Sequence, residues 1–231
     1  MPTYNIIGDI HGKTSWKELV DEDSINIFVG DYFDPYTWMA YIDLQRNFQA
    51  IIDFKKNHPD KVFLLYGNHD YQYLPGISEK YSRYNMQNAT RISALFAENE
   101  SLFHGIAYAI GDNYIVTHAG ITKPWVRKYL PNAIDYLPSK MEQATNALWS
   151  TNKAAFSFRS NAEFDDFYGE SAEHSPLWVR PIMLGYYNIY RGTDVIQIVG
   201  HSKVDTITET NNTIFVDCLD SVTQSKRITA L

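Results

Sequence analysis

The chain has 231 residues, 45% of them apolar and 15% aromatic, with a formal net charge of −7. That is enough apolar material for one substantial core, and the acidic balance argues against a nucleic-acid backbone as the partner. No apolar run approaches the roughly 20 residues that span a bilayer, and the single cysteine, Cys218, cannot form an internal disulfide.

In chain order, the first predicted strand is Tyr4-Asn5-Ile6-Ile7, and it runs into Gly8-Asp9-Ile10-His11-Gly12. No basic and apolar targeting segment stands ahead of it, so the expected location is cytoplasmic. A second apolar run, Ile25-Asn26-Ile27-Phe28-Val29, meets Gly30-Asp31-Tyr32-Phe33-Asp34. Residues 44–54 then carry a helical pattern, and Val62-Phe63-Leu64-Leu65-Tyr66 leads to Gly67-Asn68-His69-Asp70. Short apolar runs bounded by glycine read as buried strands, and strands alternating with helices read as βαβ units. Residues 71–100 fall outside this pattern and are expected to be largely helical.

Strands are predicted again within 107–116, the last part ending at Thr117-His118-Ala119-Gly120. An insertion over residues 121–190 follows, also expected to be helical. It carries Trp125, Tyr129, Tyr136, Trp149, Phe156, Phe158, Phe164, Phe167, Tyr168 and Trp178. These rings could wall a substrate site, but a satellite core beneath the insertion accounts for them at least as well. Ile196-Gln197-Ile198-Val199 then meets Gly200-His201-Ser202, and strands at 213–218 and 225–230 close the chain. Cys218, in the apolar run from Ile214, reads as a buried strand residue. His58 reads as a solvated surface residue in a turn, while His104 and His174 match no motif.

The motifs place metal-ligand residues at the carboxyl ends of predicted strands, where sheet-based enzymes build their sites. Asp9 and His11 are two positions apart, so in an extended segment they would point the same way and grip one ion. Asp31 suits a bridging role, because a carboxylate can hold two cations roughly 3.5–4 Å apart. Asn68, His118 and His201 would complete a second shell. Imidazole, carboxylate and amide together suit Mn, Fe, Zn, Co or Ni better than Ca or Mg alone. Two such ions would activate water for attack on a phosphate ester, and His69, oriented by Asp34, would protonate the leaving oxygen.

With these residues in view, the chain resembles the calcineurin-like metallophosphoesterase superfamily, whose motifs run GDxHG, GDxxD, GNHD/E, a His followed by small residues, and GHx. It is most similar to the phosphoprotein phosphatase branch, which includes Ser/Thr phosphatases and diadenosine tetraphosphate hydrolases. The resemblance extends from Gly8 to Ser202. It implies an α/β (α+β) fold: a four-layer αββα sandwich of two mixed sheets flanked by helices, with residues 1–231 forming one domain. It also implies that Asp9, His11 and Asp31 hold the first metal, that Asp31, Asn68, His118 and His201 hold the second, and that His69 and Asp34 form the acid pair.

Two departures bear on the branch. Lys203 stands where many relatives carry a second His after the last motif, which favours phosphatases over diesterases. Pro35 stands where the phosphatase branch has a phosphate-clamping Arg, as in GDxVDRG. Arg180, in Ser175-Pro176-Leu177-Trp178-Val179-Arg180, is the candidate replacement, because this segment is similar to a Trp-containing stretch of related bacterial enzymes; Arg191 is a weaker choice. The expected function is a metal-dependent phosphatase, manganese being the favoured ion, acting on a phosphorylated small molecule, nucleotide or Ser/Thr phosphoprotein. A phosphodiesterase and a non-catalytic metal-binding scaffold are the alternatives.

Overall fold

The computed structural model describes residues 1–133, 135–159 and 170–230. Its strands form two sheets of five. In the first, β1 (Thr3–Ile7), β2 (Ile25–Phe28), β3 (Val62–Leu65) and β4 (Phe103–Gly105) run parallel, and β10 (Lys226–Thr229) pairs antiparallel with β1. In the second, β6 (Tyr114–Thr117), β7 (Ile196–Val199) and β9 (Thr213–Phe215) run parallel, with β5 (Ala107–Ile110) and β8 (Thr208–Thr210) antiparallel at the edges.

Side-chain alternation explains why these runs are continuously apolar. Ile6, Ile27, Leu65, Val116, Ile198 and Ile214 point into the layer between the sheets. Their neighbours Ile7, Phe28, Leu64 and Ile115 point to the outer faces and join a second core with the helices. On the first sheet that cover includes α2 (Tyr41–Asn57), which buries Leu44, Asn47, Phe48, Ile51 and Ile52 at helical spacing. It is about a turn longer at each end than its apolar stripe alone indicates. Asp43 in its first turn and Lys55 and Lys56 in its last suit the helix dipole.

On the second sheet, α6 (Pro138–Thr151) packs over β5 and β6. Leu184 of α7 (Pro181–Tyr187) sits in a small cluster with Val199 and Phe215. The architecture is therefore two mixed sheets with helices on their outer faces.

Residues 71–100 depart from the helical expectation. After the short α3 (Asn68–Tyr71), the chain turns irregularly through Pro75-Gly76 and reaches a regular helix only at α4 (Ala89–Asn99). Proline and glycine break the pattern, and Asn85 takes the chain into Asn88 through a turn hydrogen bond to its side chain. In the insertion, Trp125, Trp149 and Phe156 are buried against one another, with Trp125–Phe156 and Trp149–Phe156 centroids 5.4 and 5.1 Å apart. These rings are core. Phe164, Phe167 and Tyr168 lie outside the described residues.

Candidate metal centre

The strands deliver their motif residues to one end of the double sheet. The ladder between the first two continues beyond the strands: Ile10 N–H donates to Gly30, His11 N–H to Asp31 and Gly12 N–H to Tyr32. This holds Asp9 and His11 beside Asp31. The alternation of an extended strand is not what orients His11, since β1 ends at Ile7 and His11 is left-handed, at φ 43°. Asp31, Asp34 and His201 are also left-handed, at φ 57°, 57° and 63°. Non-glycine residues in that region cost about 1–3 kcal/mol each and persist where the surroundings over-determine them.

Two motif glycines have a direct reason. A Cβ on Gly67 would collide with the Asp31 carboxylate, and one on Gly200 with that of Asp9. The ligand side chains are therefore packed against bare backbone, which fixes their direction. Asp70 adds a brace, its carboxylate accepting the N–H groups of Gly67, Asp31 and Tyr32 at 2.8, 2.8 and 2.9 Å. Burial nevertheless pushes Asp70 up to about 7. In sequence Asp70 was only the last letter of a motif; its bracing role depends on contacts 38 and 39 residues away.

Asp9, Asp31 and His118 each offer a ligand atom within 4.8 Å of the others. Asp31 Oδ2 faces His11 Nε2 at 3.4 Å and His118 Nε2 at 3.6 Å, so one oxygen lies between two imidazoles. Asn68 Oδ1 is 2.8 Å from His118 Nε2 and 2.9 Å from His201 Nδ1. The His201 N–H donates to Asp9. The tertiary structure thus brings Asp9, His11, Asp31, Asn68, His118 and His201 into one buried cradle.

Whether this cradle fits cations can be judged from its tautomers. His11 Nδ1 lies 3.0 Å from the Phe33 carbonyl and His118 Nδ1 lies 2.9 Å from that of Val29. A carbonyl only accepts, so each Nδ1 carries the proton, and each Nε2 presents a lone pair to Asp31. Burial pushes both rings toward neutrality, His118 down to about 3. Lone pairs facing a carboxylate repel unless a cation lies among them, and backbone carbonyls orienting imidazoles are the usual support of metal-bound histidine. Burial, and then neighbouring carboxylates, hold Asp9 and Asp31 well above the usual carboxylate range. Asp217, at the end of β9, has both carboxylate oxygens buried with no hydrogen-bond partner among the described residues. The donor set fits divalent ions.

Beside the cradle, His69 Nδ1–H donates to Asp34 Oδ2 at 3.0 Å. Asp34 also accepts from Gln72 Nε2 and from the Tyr73 hydroxyl, each at 2.5 Å. Burial lowers the His69 pKa and the Asp34 hydrogen bond works against it. Arg180 is half-buried at the start of α7, and its charge disfavours protonation of His118 and His201. Arg191 is exposed and donates to the Tyr186 carbonyl. His174 is buried and stacks on Phe158, His104 bonds Glu142, and His58 is half-buried at the end of α2.

Sequence reasoning overlooked Arg83 and Tyr36. Arg83 Nη2 donates to His69 Nε2 at 2.8 Å, and Tyr36 stands edge-on to His11. The only sequence signal was indirect: Pro35-Tyr36 occupy the place of an Arg-Gly pair.

Two mixed sheets that present carboxylates, an amide and imidazoles at their strand ends define the metallophosphoesterase class of hydrolase. Residues 3–212 match the family described as calcineurin-like phosphoesterase, and the chain belongs to that family of phosphate-ester hydrolases, which act with divalent metal ions. Among solved structures, it is similar to the cold-active protein-tyrosine phosphatase of a psychrophilic Shewanella species at 18% identity. The match covers 97% of this chain and 73% of the other, with a TM-score of 0.63. The I115M mutant of a cold-active protein-tyrosine phosphatase gives 19% identity, the same coverages and a TM-score of 0.61. At these identities the likeness concerns the fold. No curated protein matches the chain.

Proposed function

We propose that this hydrolase is a phosphatase that uses two divalent ions, manganese foremost, with Fe, Zn, Ni and Co as alternatives. The observation that carries the reading is the pair of imidazole lone pairs, from His11 and His118, aimed at Asp31 Oδ2. In this reading Asp9, His11 and Asp31 hold one ion, and Asp31, Asn68, His118 and His201 hold the other. When bound, the ions supply an activated water and neutralise the phosphoryl oxygens. The chain supplies the rest. Asp34 holds the His69 ring through Nδ1 and favours its charged form, in which Nε2 carries a proton, taken up in place of the Arg83 contact, to give to the leaving oxygen. Arg180 offers a planar fork to the phosphoryl oxygens.

The substrate is a phosphomonoester or nucleotide-type phosphate. Lys203, in place of a second histidine, favours this over a diester. Because the structural neighbours are named protein-tyrosine phosphatases, phosphotyrosine peptides belong in the substrate panel with Ser/Thr phosphopeptides and nucleotides. The whole chain works as one domain, with residues 121–190 inserted beside the centre. Its lone cysteine agrees with a cytoplasmic setting, and no helix among the described residues is long and apolar enough to cross a membrane.

The test is hydrolysis of p-nitrophenyl phosphate and its bis ester by metal-stripped protein, with Mn, Ni, Co, Zn and Mg returned singly. Monoester turnover restored by Mn, and exceeding diester turnover, is expected. Faster diester turnover would reassign the protein as a diesterase. Silence on both esters and on the substrate panel with every metal would leave the scaffold reading.

A further inference from the structure

We propose that Arg83, held against the ring of Tyr36, is a phosphate-binding residue that supplies the positive charge absent at position 35. This rests on the phosphatase reading above. Proline at 35 offers neither charge nor an N–H, and the next residue is tyrosine. The Tyr36 ring gathers cations from three other segments, Lys13 Nζ lying 5.4 Å from its centroid. The Arg83 guanidinium carbon lies 3.7 Å from the ring centroid and Lys203 Nζ lies 3.0 Å from it. The ring also meets His11 edge-on, with centroids 4.7 Å apart, so the cations are anchored at the wall of the ion cradle. Burial pushes the phenol up to about 12, and a neutral ring is the form that attracts cations on its face.

The cations differ in what they have left to offer. Lys203 and Lys13 share the Asp220 carboxylate, at 2.5 and 2.7 Å. Arg83 has no carboxylate partner among the described residues, and its Nε is buried without a hydrogen-bond acceptor. Its backbone is left-handed, at φ 62°, an uncommon conformation for arginine. A guanidinium without a carboxylate partner among the described residues and with an unspent Nε donor, on a strained backbone, is poorly explained by stability alone.

Its position suits an anion. Nη2 is 2.8 Å from His69 Nε2, the atom that faces the leaving oxygen in the proposed reaction. A phosphoryl group seated there would bring its other oxygens within reach of the same fork. A charged phosphoryl oxygen is also a stronger acceptor than an imidazole nitrogen, so the guanidinium would exchange one for the other. A cleft of about 390 Å³, lined by Asp34, Tyr36, Trp38, Arg83 and Asn85 among others, opens this side to solvent.

The experiment measures inorganic phosphate binding to the manganese-loaded protein by calorimetry, with p-nitrophenyl phosphate kinetics, for wild type, Arg83→Ala, Arg83→Lys, Tyr36→Phe and Tyr36→Ala. Manganese content and melting temperature are recorded for each. Arg83→Ala should weaken phosphate binding about 10- to 100-fold, the range for a charge-assisted hydrogen bond, with manganese content unchanged. Arg83→Lys should recover only part, because a point charge cannot donate as a fork. Tyr36 acts by positioning, so Tyr36→Ala should raise KM, and Tyr36→Phe, which keeps the ring, should raise it less. Wild-type phosphate affinity in folded Arg83→Ala and Arg83→Lys would overturn the proposal while leaving the phosphatase reading standing. A wild-type protein that neither binds phosphate nor turns over any ester would overturn both.

Discussion

The ion cradle and the loop wall beside it are built by different means. In the cradle, Asp9, Asp31, His118 and His201 leave strand ends, and backbone carbonyls and motif glycines fix their side chains. In the wall, Tyr36, Tyr73, Asn85 and Arg83 sit on irregular chain and are placed by contacts with one another. The Tyr73 hydroxyl donates to Asp34 and accepts the Asn85 N–H, and Arg83 lies on Tyr36. Ligands that must share an ion within tenths of an ångström come from rigid sheet, while groups that meet varied substrates come from loops.

The sharpest way to break this contrast is to remove a ligand. His118→Ala or Asn68→Ala should lower metal-dependent turnover by more than the 10- to 100-fold typical of losing a residue that only orients a ligand. Full manganese-dependent activity in either variant, checked with p-nitrophenyl phosphate, would remove these residues from the cradle. On the other side of the boundary, His69→Gln should reduce kcat by about 10²- to 10⁴-fold, the usual range for a general acid. Metal content measured by atomic spectroscopy should stay at the wild-type level, because the loss belongs to proton transfer.

Asp70→Asn sharpens the comparison from within the cradle. One carboxylate braces three backbone N–H groups, and an amide has a single oxygen to offer them. About 10- to 100-fold weaker manganese binding is expected, read by titrating activity with metal.

The smallest effect concerns stability and pH. Burial raises Asp70 to about 7 and Asp217 to about 6, from 3.8 in the unfolded chain, and raises Asp9 and Asp31 as well. These carboxylates bind more protons in the folded metal-free protein than in the unfolded one, which lowers stability as pH rises, whereas His11, His69, His118 and His201, held below 6.5 by burial, oppose that slope until pH has passed 6.5, above which the carboxylates alone set its sign. Melting with chelator should show a lower Tm at pH 8 than at pH 7. Saturating manganese, which stabilises the ionised carboxylates, should flatten or reverse that slope.

Much of the core was legible because period-two burial leaves continuous apolar runs in strands covered on both faces. The motif positions were legible because glycine must stand where a carboxylate presses on the backbone. The reason given for pairing Asp9 with His11 was not the operative one, since a left-handed turn, not strand alternation, aims the imidazole. The irregular course of residues 72–88 was hidden because aromatic and charged residues there form no period, and their partners lie far along the chain.

The sequence by itself determined which inner strands would be buried and that six residues of metal-ligating types would stand beside their ends, although it did not show β4 or β8, and β9 stops at Phe215 rather than at Cys218. These are local facts, set by side-chain period and by the need for bare backbone at a turn. Only the tertiary structure decided that Asp70 braces two loops, that Tyr73 and Gln72 hold Asp34, and that Arg83 reaches His69 across a tyrosine ring. Those contacts join segments with no common pattern, and their geometry exists only once the sheets have placed the loops side by side.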